Sequence, residues 1–126
     1  MQLRLKETKV KSMQLSPKTS DHEKNEGNLE FKVGSVFSES SPKSFLITFE
    51  LQLTLDDAVL DIVYDSIFET SEGVDEGFKE SHFPKVNAPA IAFPYLRAFI
   101  STLLINAGYD SVMLPSINFQ ALADKK

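Results

Sequence analysis

Between Asn87 and Leu122 the chain runs for 36 residues with only two charged side chains, Arg97 and Asp110, although 25% of the whole sequence is charged. A helix on the surface of a globular protein needs a polar face. From Ala90 to Ala107 the apolar residues instead surround the helix. Phe93, Leu96, Ile100, Leu103 and Leu104 run down one side, while Tyr95, Ala98, Phe99 and Ile105 take up much of the rest. Such a helix must be covered on more than one face.

A membrane span is the first alternative, because Ile91 to Ala107 is almost unbroken apolar chain. The run is shorter than the ~20 residues a spanning helix requires. Arg97 lies inside it, and Pro94, Ser101, Thr102 and Asn106 add polar groups that are costly in hydrocarbon. A helix covered by protein is expected, with no membrane insertion.

Four strand-like segments precede it. Residues 2 to 15 alternate, with Leu3 and Leu5 opposed to Arg4 and Lys6, and the phase changes near Val10 so that Met13 and Leu15 face together. A bulge produces that kind of change. Ser16 to Asn28 reads as a polar loop with turn formers at both ends. Leu29, Phe31, Val33 and then Val36 or Phe37 make a second strand, Ser38 to Pro42 a turn, and Phe45, Ile47, Phe49, Leu51 and Leu53 a third strand. Asp56-Asp57 turns the chain again. In the fourth segment, Val59 to Glu69, Leu60, Ile62, Tyr64 and Phe68 sort to one side. Val59, Asp61, Val63, Asp65 and Ile67 sort to the other, a mixed apolar and acidic surface.

Consecutive strands with short connections pair antiparallel, and the helix that follows covers one face of the sheet. The expected fold is therefore α+β, a four-stranded antiparallel sheet followed by a long helix and a short C-terminal helix packed on one face. Residues 1–126 form a single domain of ordinary size. Gly73 to Lys85 is a charged connection, Pro89 or Pro94 lies near the helix start, and Gly108 ends the helix. After extended Val112 to Pro115, residues 118 to 123 are expected to form the last helix. One sheet buries one side of the long helix, so its other apolar side calls for a second copy of the chain, two-fold contacts being the commonest. Tyr95, Phe99, Thr102, Leu103 and Asn106 are the residues expected in that oligomer interface.

Charge and chemistry narrow the function. Residues 1 to 18 hold Arg4, Lys6, Lys9, Lys11 and Lys18 against Glu7, whereas residues 50 to 80 hold ten acids and one base, Lys79. The acidic stretch argues against nucleic acid and suits a basic partner or simple solubility. With no Cys there is no disulfide or thiolate chemistry, a reducing cytoplasm is the expected home, and no signal-peptide pattern opens the chain. His22 and His82 lie apart in polar segments, without the spaced ligands of a metal site. Asp56-Asp57 and Glu72 to Glu76 lack the ligand alternation of a calcium loop. No nucleophile elbow and no Gly-rich phosphate loop is found. A binding protein without cofactor or metal is expected, not an enzyme. Ten Phe, with Met13, Leu15, Val112, Met113 and Leu114, supply flat or flexible apolar side chains of the kind that accept many sequences.

Phe93-Pro94-Tyr95-Leu96-Arg97, Ile100-Ser101-Thr102-Leu103, Leu114-Pro115 and Ile117-Asn118-Phe119-Gln120-Ala121-Leu122 resemble, in order and spacing, the C-terminal half of the SecB protein-export chaperones. The close resemblance covers about Ala88 to Leu122, and the earlier part matches as a pattern of strands. It implies a dimer of dimers with helices between two sheet layers. It also implies ATP-independent holding of unfolded preproteins, kept competent for the translocase, in long apolar grooves. On that reading Leu15, Phe31, Val33, Leu114, Ile117, Phe119 and Leu122 form the polypeptide groove. Val59, Asp61 and Asp65 form the outer sheet surface offered to the SecA ATPase. The sequence begins almost at its first strand and ends at Lys125-Lys126, where family members continue into a tail that also contacts the motor. Two other readings stay open: a SecB-like chaperone dedicated to one client such as an antitoxin, and an adaptor that binds one folded partner. A small-molecule carrier is a more remote possibility.

Overall fold

The computed structural model describes residues 1–18, 28–110 and 112–124. Four strands, β1 (Leu3–Pro17), β2 (Asn28–Phe37), β3 (Ser44–Thr54) and β4 (Ala58–Thr70), form one antiparallel sheet in the order β1-β4-β3-β2. Consecutive β1 and β2 thus lie on opposite edges of the sheet. The expected loop from Ser16 to Asn28 is shorter than predicted, because β1 runs to Pro17 and β2 opens at Asn28. Residues 19–27 of it, with His22, fall outside the described residues.

Register sorts the side chains into rows across the sheet. On the inner face one row is Leu15, Leu60, Leu53 and Leu29, the next Met13, Ile62, Leu51 and Phe31, and the next Val10, Tyr64, Phe49 and Val33. The phase change in β1 is confirmed and is double: register shifts at Lys6 and again at Lys11. Each extra residue bends the strand and returns the apolar residues that follow to the inner face. In β2 the choice falls on Phe37, which turns inward and stacks on Phe45 with ring centroids 5.7 Å apart, while Val36 is 54% exposed on the outer face.

The connection after β4 is more structured than its charges suggest. Asp75 caps a short helix, α1 (Glu76–Lys79), its carboxylate accepting the Phe78 N–H at 2.8 Å. Phe78 is thereby buried against Phe45 and Phe83. A π-helical turn, Phe83–Asn87, leads directly into α2 (Ala88–Asn106). Together they make one helix of 24 residues, Phe83–Asn106, long and apolar enough to cross a membrane. The length argument against a span therefore fails. What identifies α2 as a core helix is its packing, with Phe93, Leu96, Ile100 and Leu104 buried in the same cluster as the inner face of the sheet.

Pro89 sits in the first turn of α2, as expected, but Pro94 lies well inside it. Proline there deprives the Ala90 carbonyl of its partner. Both residues are exposed, so water can replace the lost bond. The helix ends as predicted. Gly108 adopts φ +92, and the N–H groups of Gly108 and Tyr109 donate to the carbonyls of Ile105 and Leu104 at 3.1 and 2.8 Å. This is a Schellman closure, in which only glycine takes the left-handed position without penalty. A strap, residues 112–118, then leads to α3 (Phe119–Asp124).

Candidate functional site

Four phenylalanines from four elements meet at the β2 side of the sheet: Phe31 of β2, Phe49 of β3, Phe93 of α2 and Phe119 of α3. The six centroid distances among them are 5.7, 5.6, 6.2, 6.0, 6.3 and 5.8 Å, in tilted and edge-on geometries that favour aromatic contact beyond simple burial. Phe31 remains half-buried and the other three are buried. Phe119 reaches the cluster because Asn118 starts α3, its Oδ1 accepting the Ala121 N–H at 3.0 Å.

The strap reaches this region along α2. Ser101 Oγ donates to the Val112 carbonyl at 3.0 Å. Leu114 is buried, Ile117 half-buried, and Met113 just before them is 76% exposed. A cavity of about 140 Å³ opens beside the edge strand β2, lined by Val33, Gly34, Pro84, Pro89 and Leu122 among others. Gly34 has no atom within 4 Å of where a Cβ would stand, a position on the outer face of the sheet.

Of the seven residues expected to form a polypeptide groove, Phe31 and Phe119 share the aromatic cluster, and Val33 and Leu122 share the adjoining cavity. Leu114 and Ile117 are on the strap. Leu15 stands apart, on the far edge strand β1 opposite Leu60. Phe119 (4% exposed) and Leu114 (2% exposed) are core residues in this conformation, so any polypeptide that reaches them must displace part of the strap or α3.

The outer face is built differently. Its rows are Glu30, Gln52, Asp61 and Gln14; Lys32, Glu50, Val63 and Ser12; Gly34, Thr48, Asp65 and Lys9; and Val36, Leu46, Ile67 and Glu7. Asp61 accepts from Gln52 Nε2 and Asp65 from Thr48 Oγ1, each at 2.9 Å. Both expected acids are thus outward-facing and tied across strands, whereas Val59 is buried at the start of β4. Beside them a shallow concavity of about 540 Å³ is lined by Glu30, Lys32, Glu50, Asp61 and Val63 among others. At the β1 edge Arg4 donates to Glu69, and that bond holds the Glu69 carboxyl below the usual carboxylate range. Among the described residues no group of three or more His, Asp or Glu side chains is placed to hold a metal.

On the side of α2 away from the sheet, Ile91, Tyr95, Ala98, Thr102 and Ile105 are all exposed. Their spacing of four, three, four and three is that of a two-helix seam. Of the expected oligomer residues, Tyr95, Thr102 and Asn106 are exposed, and Phe99 and Leu103 are half-buried. Ile91 was not anticipated. The heptad spacing, legible in the sequence, would have found it.

A family model described as "Preprotein translocase subunit SecB" matches residues 16–126. A "Protein-export protein SecB" of Anaplasma phagocytophilum is 31% identical over 71 residues, 54% of this chain and 44% of that protein. An uncharacterized protein of Methanocaldococcus jannaschii is 50% identical over 40 residues, 32% of this chain and 26% of that protein. The chain thus spans less than half the length of the curated relatives it matches. Among solved structures, the Mycobacterium tuberculosis Rv1957 SecB-like chaperone, in complex with a ChAD peptide from the HigA1 antitoxin, superposes with a TM-score of 0.70. The identity is 16%, over 91% of this chain and 87% of that one. A Streptococcus agalactiae protein of unknown function gives a TM-score of 0.65 at 14% identity, covering 92% of this chain and 98% of that one. These two likenesses bear out the α+β fold, and the match over residues 16–126 carries the assignment: the chain belongs to the SecB family.

Proposed function

We propose that this SecB-family chain is a cytoplasmic, non-enzymatic holding chaperone that works without ATP, binding non-native polypeptide along the β2 side of the sheet. The observation that carries the reading is the convergence of Phe31, Val33, Phe119 and Leu122 on one edge, next to an apolar strap bearing Leu114 and Ile117. Side chains of this kind recognise apolar character more than a particular sequence. Burial of client apolar surface contributes about 25 cal/mol per Å² before ordering costs. Many weak contacts along an extended segment then add through multivalency. Leu15, on the opposite edge, would serve a client long enough to cross between copies of the chain.

The exposed α2 stripe is the surface on which a second copy packs, with Tyr95, Thr102 and Asn106 outermost and Phe99 and Leu103 at its margin. A dimer of dimers built on this helix would place the outer sheet faces, with Asp61 and Asp65, toward solvent. There they are available to a basic partner such as the SecA motor, with buried Val59 anchoring the start of the strand that carries them. Charge reversal at Asp61 and Asp65 would then weaken SecA binding and leave client holding intact. Equal SecA affinity in the reversed variant would remove that surface from the reading.

A narrower reading concerns client range. The Mycobacterium tuberculosis relative was solved with an antitoxin peptide, which favours a SecB-like chaperone dedicated to one unstable client over one that serves many preproteins. Size-exclusion chromatography with light scattering tests both. The protein is run alone, with a permanently unfolded, reduced and carboxymethylated polypeptide, and with the folded parent of that polypeptide. An oligomer that captures only the unfolded chain supports holding. An oligomer that captures neither rules out general holding and leaves the dedicated client.

A further inference from the structure

We propose that Ser101 is a positioning residue for the groove, its hydroxyl latching the strap in the seated position that keeps Leu114 and Phe119 covered. This inference rests on the holding function proposed above. A serine in the middle of a helix commonly donates back to a carbonyl one turn earlier. Ser101 instead donates forward to the Val112 carbonyl, at 3.0 Å. Among the described residues it is the one hydrogen bond that ties residues 112–118 to α2.

The other attachments of the strap are apolar, through buried Leu114 and half-buried Ile117, while Met113, Pro115 and Ser116 are exposed. Apolar contacts hold an extended segment down without fixing where it lies, since they carry little directionality. One hydrogen bond fixes it, because donor and acceptor must align. The half-buried Val112 carbonyl also needs a donor only while the strap is seated. Once lifted, it is met by water. Removing the Ser101 hydroxyl therefore destabilises the seated strap and leaves the lifted one unaffected.

Two observables must then move together. A net hydrogen bond of ordinary strength corresponds to about a two- to tenfold change in the lifted population. The apparent affinity of a ligand that binds only the lifted state rises by that same factor. So does the thiol-labelling rate of a Leu114→Cys variant, since position 114 is 2% exposed in the seated strap and open to a reagent only once it lifts.

The test compares the full-length protein with Ser101→Ala and Ser101→Thr. Binding of a reduced, carboxymethylated, permanently unfolded polypeptide is measured by titration. Because the sequence has no cysteine, strap lifting is read in the same three backgrounds from thiol labelling of Leu114→Cys, with Leu60→Cys in the buried face of β4 as the control. In Ser101→Ala, the labelling rate at position 114 and affinity for the unfolded chain are both expected to rise by a common factor. Labelling at position 60 should match the parent. Ser101→Thr, which keeps the hydroxyl, should restore both readouts. Unchanged labelling at position 114 in Ser101→Ala would overturn the latch. Faster labelling with unchanged or weaker affinity would overturn its role in the groove, because the strap would then form part of the bound state. Failure of the parent protein to bind the unfolded chain is a separate result. It removes the holding function and leaves strap labelling to decide whether the latch exists.

Discussion

The two stripes of α2 are built from the same kinds of residue and meet different fates. Phe93, Leu96, Ile100 and Leu104 vanish into the core, whereas Ile91 (42% exposed), Tyr95 (55%) and Ile105 (60%) face outward with Ala98 and Thr102 between them. The first stripe packs against the inner face of the sheet. The second follows a stricter four-three spacing, suited to another helix rather than to a pleated surface. Apolar character alone therefore shows that a helix needs cover without showing from where. The spacing of the second stripe supplies what the composition leaves out.

The largest effect should come from the covered stripe. Ile100→Ala leaves a cavity between α2 and the sheet and should cost about 2–5 kcal/mol of stability in denaturant unfolding. A loss below about 1 kcal/mol, no more than a typical point mutation costs, would mean that the helix is not seated as described. The exposed stripe should respond in assembly instead of folding. Tyr95→Glu with Ile105→Glu is expected to weaken self-association by about a hundredfold or more, in line with the loss of an interface hot spot. Light scattering would detect this as a fall in mass at constant helix content. Unchanged mass would erase the distinction between the stripes.

A smaller change sharpens the account of the inner face. Ser66 points into the core from β4, fully buried, and its hydroxyl finds no partner among the described residues. Ser66→Ala should therefore stabilise the fold by about 1 kcal/mol, read as a raised denaturant midpoint. Destabilisation would mean that the hydroxyl is satisfied. The smallest effect concerns the outer face. The folded pKa of Glu69 lies below its unfolded value because Arg4 bonds the charged form. Its contribution is thus present above the unfolded pKa and lost as pH falls through the folded one. Arg4→Ala should remove that contribution, lowering stability slightly at neutral pH and leaving it unchanged at low pH where Glu69 is protonated in both states, a small effect since the pair is exposed.

Much of this was legible in the chain. Alternation in residues 45–53 and 59–68 placed β3 and β4 and assigned their faces, because period-two patterning survives only where one face is buried. Gly108 marked the helix end, and Asn118 the start of α3. The connection at residues 73–85 was misread because a four-residue helix capped by Asp75 carries too little apolar periodicity to stand out among charges. Pro94 suggested a helix start, since proline is disfavoured within helices. The structure tolerates it at an exposed turn where water can replace the missing bond. Of the proposed groove, Phe31 and Phe119 converge as expected. Leu15 does not, because no local pattern reports that β1 pairs with β4 instead of β2.

By itself the sequence determined the number of strands and the face that each residue of β3 and β4 takes. It also determined the long apolar helix and the demand of that helix for cover on two sides, all consequences of spacing along one chain. Tertiary structure alone decided the strand order, which side of α2 the sheet occupies, the meeting of four phenylalanines from four elements, and the reach of Ser101 to the strap. These depend on contacts between residues far apart in sequence. Several arrangements satisfy the same local periodicity, and only packing of the whole core selects one.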